Sequence, residues 1–273
     1  MSLEKLVTIS SNDQDVNLSN SNSDFTVVLN ERNLSQGVNR VMIKECTVPN
    51  VFPNIRGESY ASSQNNIFRF LDGLGNLSPP IEIPEGQYVI STLGVPPAND
   101  LITVLETIYN ATVALPGETV SITLDPITNK LNFTFAGGIT GYNFANTSDS
   151  PLNNTLGIVG PLPSASLNFD AQGIPDLVGY KNVYIHSKDI ADLNGVDAGF
   201  GLISLAEPVS LVDTPYGAYA YKQNNDDELA SIVFEQPRNL SVIRIVLRDE
   251  NGTKLDIGSH TMNIVFKAYF DAV

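Results

Sequence analysis

The middle of the chain reads Asp100-Leu-Ile-Thr-Val-Leu-Glu-Thr-Ile-Tyr-Asn110 and, a little later, Val120-Ser-Ile-Thr-Leu-Asp-Pro-Ile-Thr-Asn-Lys-Leu-Asn-Phe-Thr-Phe135. In the first segment apolar residues recur at the i, i+3, i+4 and i+7 spacing from Leu101 to Ile108, which predicts one amphipathic helix. Asn99 or Asp100 is the expected N-cap, because either side chain can accept a hydrogen bond from the first turn. The stretch therefore begins with a short helix.

The second segment predicts a β-hairpin. Its apolar residues alternate with polar ones on both arms, and Asp125 to Asn129 supplies the turn between them. The alternating residues are Val120, Ile122 and Leu124 on one arm and Leu131, Phe133 and Phe135 on the other. A helix followed by a hairpin is an α+β module, and both of its flanks have the patterns of β-structure.

The flanks predict eight strands in two groups of four. Each is a short run of alternating or continuous apolar residues bounded by turn residues. The predicted strands are Phe25–Leu29, Arg40–Val48, Ile67–Leu71 and Ile81–Pro84 before the module, and those around Val183–Ile185, Ile232–Phe234, Ile243–Leu247 and Ile264–Phe270 after it. Eight antiparallel strands around one core are typical of a jelly roll. The predicted fold is mainly β, a single eight-stranded jelly roll with an inserted α+β domain.

This pattern gives a predicted domain division. Residues 1–24 are polar and read as an N-terminal arm, 25–75 and 168–273 form a discontinuous jelly-roll domain, and 76–167 form the insertion domain. The alternation of the second strand breaks near Lys44-Glu45, which predicts a β-bulge or a local twist. Asn251-Gly252 predicts a tight hairpin turn.

The composition excludes several classes of protein. The chain has 15 Lys and Arg against 30 Asp and Glu, a net charge of −15, so we expect no direct nucleic-acid binding. Between Phe70 and Tyr180 ten acids face one base, Lys130, and this stretch carries −9 of the total. No run of apolar residues is long enough to span a membrane. Cys46 is single, which excludes an internal disulfide, and the first residues lack a signal peptide, so synthesis in the cytoplasm is expected.

Few residues of the chain could support catalysis. His186 and His260 are the only histidines, and His186 falls on the strand face opposite Val183 and Ile185, which predicts a surface position. No nucleophile elbow or phosphate-binding loop is present. We therefore predict no enzymatic activity, no cofactor and no metal site. A hydrolase with paired carboxylates stays an alternative, since acids are abundant.

Arg244 and Arg248 are the candidate contact residues. They share the outward face of their predicted strand, opposite Ile243, Ile245 and Leu247. Two interpretations stay open, ordinary surface charge or a subunit contact, the second because arginine is enriched at interfaces.

The order of these segments resembles that of the penton (minor capsid) proteins of virophages and of the related Polinton-type elements. The resemblance covers most of the chain after about residue 25. It is carried by the helix and by Thr47-Val-Pro-Asn-Val-Phe-Pro-Asn-Ile55, Ile83-Pro-Glu-Gly-Gln-Tyr88, the hairpin Ser121–Phe135, Asn154-Thr-Leu-Gly157, Val183-Tyr-Ile-His-Ser187 and Arg248-Asp-Glu-Asn-Gly252.

What the resemblance implies is a structural protein of the virion, made in the host cytoplasm. Five copies would form a homopentamer at each fivefold vertex of an icosahedral capsid and contact the major capsid protein. The jelly roll would form the wall, and the insertion domain would project outward, where it could meet a receptor on a host or giant-virus surface. The alternative is a carbohydrate- or receptor-binding attachment module, because jelly rolls also serve that function.

Overall fold

The computed structural model describes residues 3–15, 18–29, 37–72, 76–91, 95–112, 118–137, 142–145, 148–159, 166–190, 205–225 and 231–270. The strands are β1 (Leu3–Ser10), β2 (Asp24–Val28), β3 (Val38–Pro49), β4 (Ile67–Phe68), β5 (Phe70–Asp72), β6 (Ile81–Glu82), β7 (Thr119–Leu124), β8 (Leu131–Ala136), β9 (Tyr142–Phe144), β10 (Asn168–Asp170), β11 (Asn182–Ser187), β12 (Leu205–Ser210), β13 (Tyr219–Gln223), β14 (Ile232–Arg238), β15 (Val242–Arg248) and β16 (Asn263–Phe270). The α-helices are α1 (Leu101–Thr112) and α2 (Leu152–Thr155), and Ser11–Asp13 and Glu58–Ser63 form 3-10 turns. The chain divides into a sandwich unit, Met1–Phe52 with Tyr180–Val273, and an insert unit, Pro53–Gly179.

The sandwich unit contains two antiparallel sheets. One has the order β1-β16-β3-β13, and β14 pairs with the other half of β3, so β13 and β14 share one strand position. The other sheet has the order β12-β11-β15-β2. Successive strands change sheet, since β1, β3 and β16 lie in the first sheet whereas β2 and β15 lie in the second. Eight strand positions in two four-position sheets are the arrangement of a jelly roll, as the sequence predicts.

Alternating side chains place the core between these sheets. On β15, Ile243, Ile245 and Leu247 are fully buried and point to one face, as the period of two requires. The bulge predicted near Lys44 is present, because Phe266 pairs with Ile43 while the preceding Val265 pairs with Glu45, leaving Lys44 as the extra residue of β3.

The structure differs from the predicted arm at residues 3–10. These residues form β1, which pairs with β16 in an unbroken register from Leu3 with Phe270 to Ser10 with Asn263. Val7 and Ile9 are its buried residues. The strand is hard to detect because it has a neighbour on one side only and half of its residues are polar or charged.

The predicted segments 67–71 and 81–84 also lie elsewhere than expected. They form short strands, β4 to β6, inside the insert unit, which extends over 53–179 instead of 76–167. Their places in the jelly roll are taken by β1 and β12, and Glu207 and Pro208 interrupt the apolar pattern of β12.

Aromatic rings form the centre of the insert unit. Phe68 and Phe70 lie 4.7 Å apart between ring centroids, and Phe144 and Phe169 lie 4.9 Å apart. Tyr109 of α1 packs edge-to-face on Phe70 at 5.3 Å. Such ring pairs contribute beyond the area that they bury. The sheet β10-β8-β7 and the pairs β4-β6 and β5-β9 surround these rings.

Helix α1 is capped by Asp100, one of the two predicted N-caps. The backbone N–H of Thr103 donates to Asp100 Oδ2 at 2.9 Å, and that of Ser91 donates to Oδ1 at 2.7 Å. One helical turn apart, Glu106 and Asn110 accept hydrogen bonds from the backbone N–H groups of β7. The helix thereby covers an edge of the sheet that would otherwise expose unpaired donors.

The segments that carry the sequence resemblance meet in a buried amide network. Asn54 exchanges hydrogen bonds with the backbone of Tyr88, at 2.8 Å in both directions, and also donates to the carbonyl of Leu177 at 3.0 Å. The Asn65 side chain donates to the carbonyl of Asn54 and to Thr155 Oγ1. The start of the insert unit is thus tied to its end by neutral side chains whose hydrogen bonds are satisfied.

Candidate interaction surface on the four-stranded sheet

Arg244 and Arg248 lie on the outer face of the four-stranded sheet, as the alternation predicts. Val246 lies between them on β15 and pairs with Asp24 of β2 and His186 of β11. Directly paired residues of antiparallel strands point to the same face. The register therefore brings the side chains of three strands together on this face.

Asp24 is the centre of this group. Its carboxylate accepts two hydrogen bonds from the Arg244 guanidinium, from Nε to Oδ1 and from Nη2 to Oδ2, both at 2.8 Å. Lys254 Nζ donates to Oδ2 at 2.5 Å, and Asn20 Nδ2 donates to Oδ2 at 3.0 Å. Asp24 is only 5% exposed, so these bonds replace the water that the carboxylate loses on burial.

The network shifts the pKa values of Asp24 and Arg244. Burial by itself would raise the pKa of the Asp24 carboxyl, but the hydrogen bonds from Arg244, Lys254 and Asn20 outweigh it and hold the pKa well below its ordinary value. The hydrogen bond to Asp24 raises the pKa of Arg244 in turn. Asp24 is therefore ionised throughout the physiological range, and the ion pair is permanent there.

A cleft of about 260 Å³ opens beside this network. It is lined by Lys188, Asp189, Arg244, Val246, Arg248 and Lys254. The backbone N–H of Arg244 donates to Asp189 Oδ2 at 2.6 Å, and Arg248 Nη1 donates to the carbonyl of Gly252. The cleft thus brings together both arginines singled out from the sequence and two lysines.

The predicted turn at Asn251-Gly252 places Lys254 in the cleft. The backbone N–H of Asp249 donates to the carbonyl of Thr253 at 2.9 Å, and Asp249 Oδ1 accepts from the N–H groups of Asn251 and Thr253. Gly252 has φ +81°, a conformation that favours glycine. After this turn the chain crosses to the other sheet, so β16 is not the hairpin partner of β15 that the turn alone suggests.

The sequence analysis does not identify Asp24, Lys188 and Lys254 as members of this group. Asp24 is assigned to the arm, although it alternates with the buried Phe25 and so falls on the outer face. Nothing in the sequence indicates that Lys188 and Lys254 meet there. The predicted surface position of His186 is wrong, since it is 1% exposed although it points away from the sandwich core.

Two other polar or reactive side chains of the sandwich unit, Glu207 and Cys46, have structural roles. Glu207 forms an ion pair with Lys222 and accepts a hydrogen bond from Asn224. Burial, together with the charge of Glu207, raises the pKa of the Cys46 thiol to about 12, so it stays protonated and unreactive. Among the described residues, no three His, Cys, Asp or Glu side chains are grouped so as to hold a metal ion. No described helix has the length and apolar character needed to cross a bilayer.

The fold of the chain is similar to that of a solved viral protein. The match is the crystal structure of selenomethionine-labelled mavirus penton protein, with a TM-score of 0.51 and 9% sequence identity. It covers 98% of this chain and 99% of the mavirus chain. No family model and no curated protein matches this chain. The resemblance to penton proteins is thereby confirmed at the level of the fold.

Proposed function

We propose that this chain is a penton protein, which forms the vertices of an icosahedral viral capsid. The observation that carries the proposal is the similarity to the mavirus penton protein along 98% of the chain, which includes both the sandwich unit and the insert unit. A jelly roll by itself is shared with lectins and enzymes and would not distinguish these functions. A match of both units, over nearly the whole of both chains, favours the vertex protein.

In this proposal five copies form a ring that contacts the major capsid protein. A ring needs one face of each copy to meet a different face of the next. The distribution of charge supports such a division of roles. The insert unit has eleven acids against three bases and the sandwich unit 19 acids against twelve bases, so their net charges are similar, −8 and −7, but four fifths of the bases lie in the sandwich unit. The sandwich unit is the proposed contact region and the insert unit the exposed one.

Native mass spectrometry of the purified chain, and electron microscopy of particles formed with the major capsid protein, test this function. The expected result is a five-membered ring and density for this chain at the fivefold vertices. A chain that stays monomeric and never enters particles contradicts the proposal. Because the jelly-roll fold does not require assembly, a monomer would be informative and not merely misfolded.

A second function, attachment to a receptor or a glycan, is favoured for the insert unit by its exposed apolar side chains. Ile127 lies at the tip of the β7–β8 turn and is 88% exposed, and Val95 is 85% exposed. Apolar groups exposed to this degree are typical of contact sites when they are grouped, although scattered ones are common. Particles carrying Ile127→Ser should assemble normally but bind host cells less. Unchanged cell binding and a blank glycan array would argue against attachment.

A further inference from the structure

The cleft on the four-stranded sheet holds more positive charge than its own carboxylates balance. Two carboxylates are present, that of Asp189 in the lining and that of Asp24 beside it. The cations that line the cleft are Lys188, Arg244, Arg248 and Lys254. The local balance is therefore two positive charges, in a chain whose net charge is −15. A concave surface of one sign attracts ligands of the other sign, so the expected ligand is an anion.

Two of the four cations are held in place by Asp24. Its carboxylate accepts two hydrogen bonds from the guanidinium of Arg244 and one from Lys254. The two basic side chains nevertheless remain 46% and 50% exposed. Cations that are already ordered lose little freedom when a ligand arrives, which favours binding.

The other two cations have no carboxylate partner within the described part of the chain. Lys188 is exposed and forms no hydrogen bond or ion pair with any described residue. The Arg248 guanidinium donates from Nη1 to the carbonyl of Gly252, and its Nε has no acceptor among the described residues. Cations that share a cleft without a counter-charge repel one another. The charge of these two side chains is therefore available to a ligand.

We propose that this cleft binds a small oxyanion of the phosphate and sulfate type. Two uncompensated cations match the charge of a dianion, which a single carboxylate or a halide does not carry. A tetrahedral anion also offers several acceptor oxygens, so it can reach ammonium and guanidinium donors on different sides of the cleft at once. The cleft volume of about 260 Å³ lies below the roughly 300–1,000 Å³ of sites for drug-sized ligands, as expected for a small anion and its bound water.

The proposed site is formed within one copy of the chain. All its lining residues belong to the sandwich unit, and no residue of a neighbouring copy is needed to complete it. The oxyanion is either a free ion or a group carried on a larger molecule, since the cleft is open to solvent. The proposal does not depend on the ring, so its failure would leave the vertex function standing.

The first experiment titrates the full-length chain with sodium sulfate, phosphate, methyl phosphate, acetate and chloride. The ionic strength is kept equal, so that general screening is the same in every arm, and the pH is slightly alkaline, so that both phosphates are dianions. NMR signals of the backbone and of the arginine Nε–H groups report binding. Sulfate and phosphate should give saturable shifts at the cleft, acetate a weaker response and chloride none. Sulfate and phosphate that bind no better than chloride overturn the proposal. Methyl phosphate distinguishes the sources, because a site for a group on a larger molecule binds it as well as phosphate, whereas a site for the free ion does not.

The second experiment changes the charge of the cleft in both directions. Lys188→Gln and Arg248→Gln should each weaken sulfate binding about tenfold, because hydrogen bonds to charged groups are lost. Lys130→Gln, the same change on the insert unit, is the matched control and should bind like the wild type. Asp189→Asn keeps an oxygen for the N–H of Arg244 but removes a negative charge, so it should bind sulfate several-fold more tightly.

Hydrogen exchange of each variant verifies that the fold is unchanged. Tighter binding by Asp189→Asn cannot come from damage to the fold, so this variant separates an electrostatic role from a structural one. Sulfate affinity that is unchanged in both Lys188→Gln and Arg248→Gln overturns the assignment of the oxyanion to this cleft. Affinity that is not increased by Asp189→Asn overturns it as well.

Discussion

The two units of this chain are stabilised by different kinds of interaction. The sandwich unit joins strands distant in sequence, and two of its buried carboxylates, Asp24 and Glu207, are paired with cations. The insert unit packs short strands and a helix around aromatic rings, and most of its buried polar groups are neutral, such as the Asn54 amide, with Asp100 and Glu118 as its buried carboxylates. Because ion pairs respond to pH and salt whereas ring packing does not, the units should differ in what destabilises them.

Removing a ring from the insert unit should have the largest effect. Phe70 contacts four other rings among the residues that the structure describes, so Phe70→Ala leaves a cavity and should lower the free energy of unfolding of this unit by about 3–5 kcal/mol. Hydrogen exchange measured on peptides of 53–179 and of the sandwich unit would locate the loss. Phe25→Ala is the counterpart in the sandwich unit. Equal loss of protection in both units, from either variant, would show that they unfold together and would break the comparison.

A substitution that strains the backbone of the insert unit should cause the second-largest loss of stability. Gly157 has φ +76°, and a Cβ there would lie 2.4 Å from the carbonyl oxygen of Gly173. Gly157→Ala combines unfavourable backbone geometry with a clash and should cost about 2–4 kcal/mol. Gly217, with φ +83° and open space around its Cβ position, is the control, and Gly217→Ala should cost only the backbone part. Thermal denaturation of both variants checks this, and equal losses would mean that the clash is relieved by movement of the neighbouring chain.

Local features of the fold follow from the sequence because their cause is local. The spacing of apolar residues predicts α1, a polar side chain before its first turn predicts the Asp100 cap, and the alternation around Asp125 to Asn129 predicts the hairpin. The bulge at Lys44 is visible for the same reason, since an extra residue breaks the period of two. In each case the signal lies within a dozen residues.

Strand pairing and the candidate cleft cannot be predicted from local sequence. β1 pairs with a strand more than 250 residues later, and as an edge strand it needs few apolar residues. The Asp24–Arg244 pair joins residues 220 positions apart, so no spacing rule indicates it. Alternation assigns Arg244 and Arg248 to the correct face, but only the order of strands in the sheet determines which charges they meet there.

The third prediction concerns the ion pairs of Asp24 in the sandwich unit, whose contribution to stability depends on pH. Asp24→Asn removes the carboxylate from Arg244 and Lys254 and should cost about 1.5–3 kcal/mol at neutral pH, since hydrogen bonds to charged groups are stronger than neutral ones. The pKa of Asp24 is lowered in the folded chain, so its contribution is full above the unfolded pKa of about 3.9 and declines as the pH falls below that. The difference between variant and wild type should therefore shrink on acidification.

Urea denaturation at several pH values measures this difference. Asp213→Asn makes the same chemical change on the exposed surface of the sandwich unit and should have little effect at any pH. A gap between Asp24→Asn and wild type that stays constant down to the most acidic condition would contradict the ionic role of Asp24. It would also remove the electrostatic half of the contrast between the two units.

The helix cap of the insert unit gives the smallest effect and tests whether charge contributes to the stability of that unit. Asp100→Ala removes the acceptor used by the N–H groups of Thr103 and Ser91 and should cost about 1 kcal/mol. Asp100→Asn keeps an acceptor oxygen and should recover most of that loss, so the contribution of the cap is mainly hydrogen bonding. Hydrogen exchange at the start of α1 is the direct measurement. If Asn proved as damaging as Ala, charge would matter in the insert unit too, and the two units would be stabilised more alike than their cores suggest.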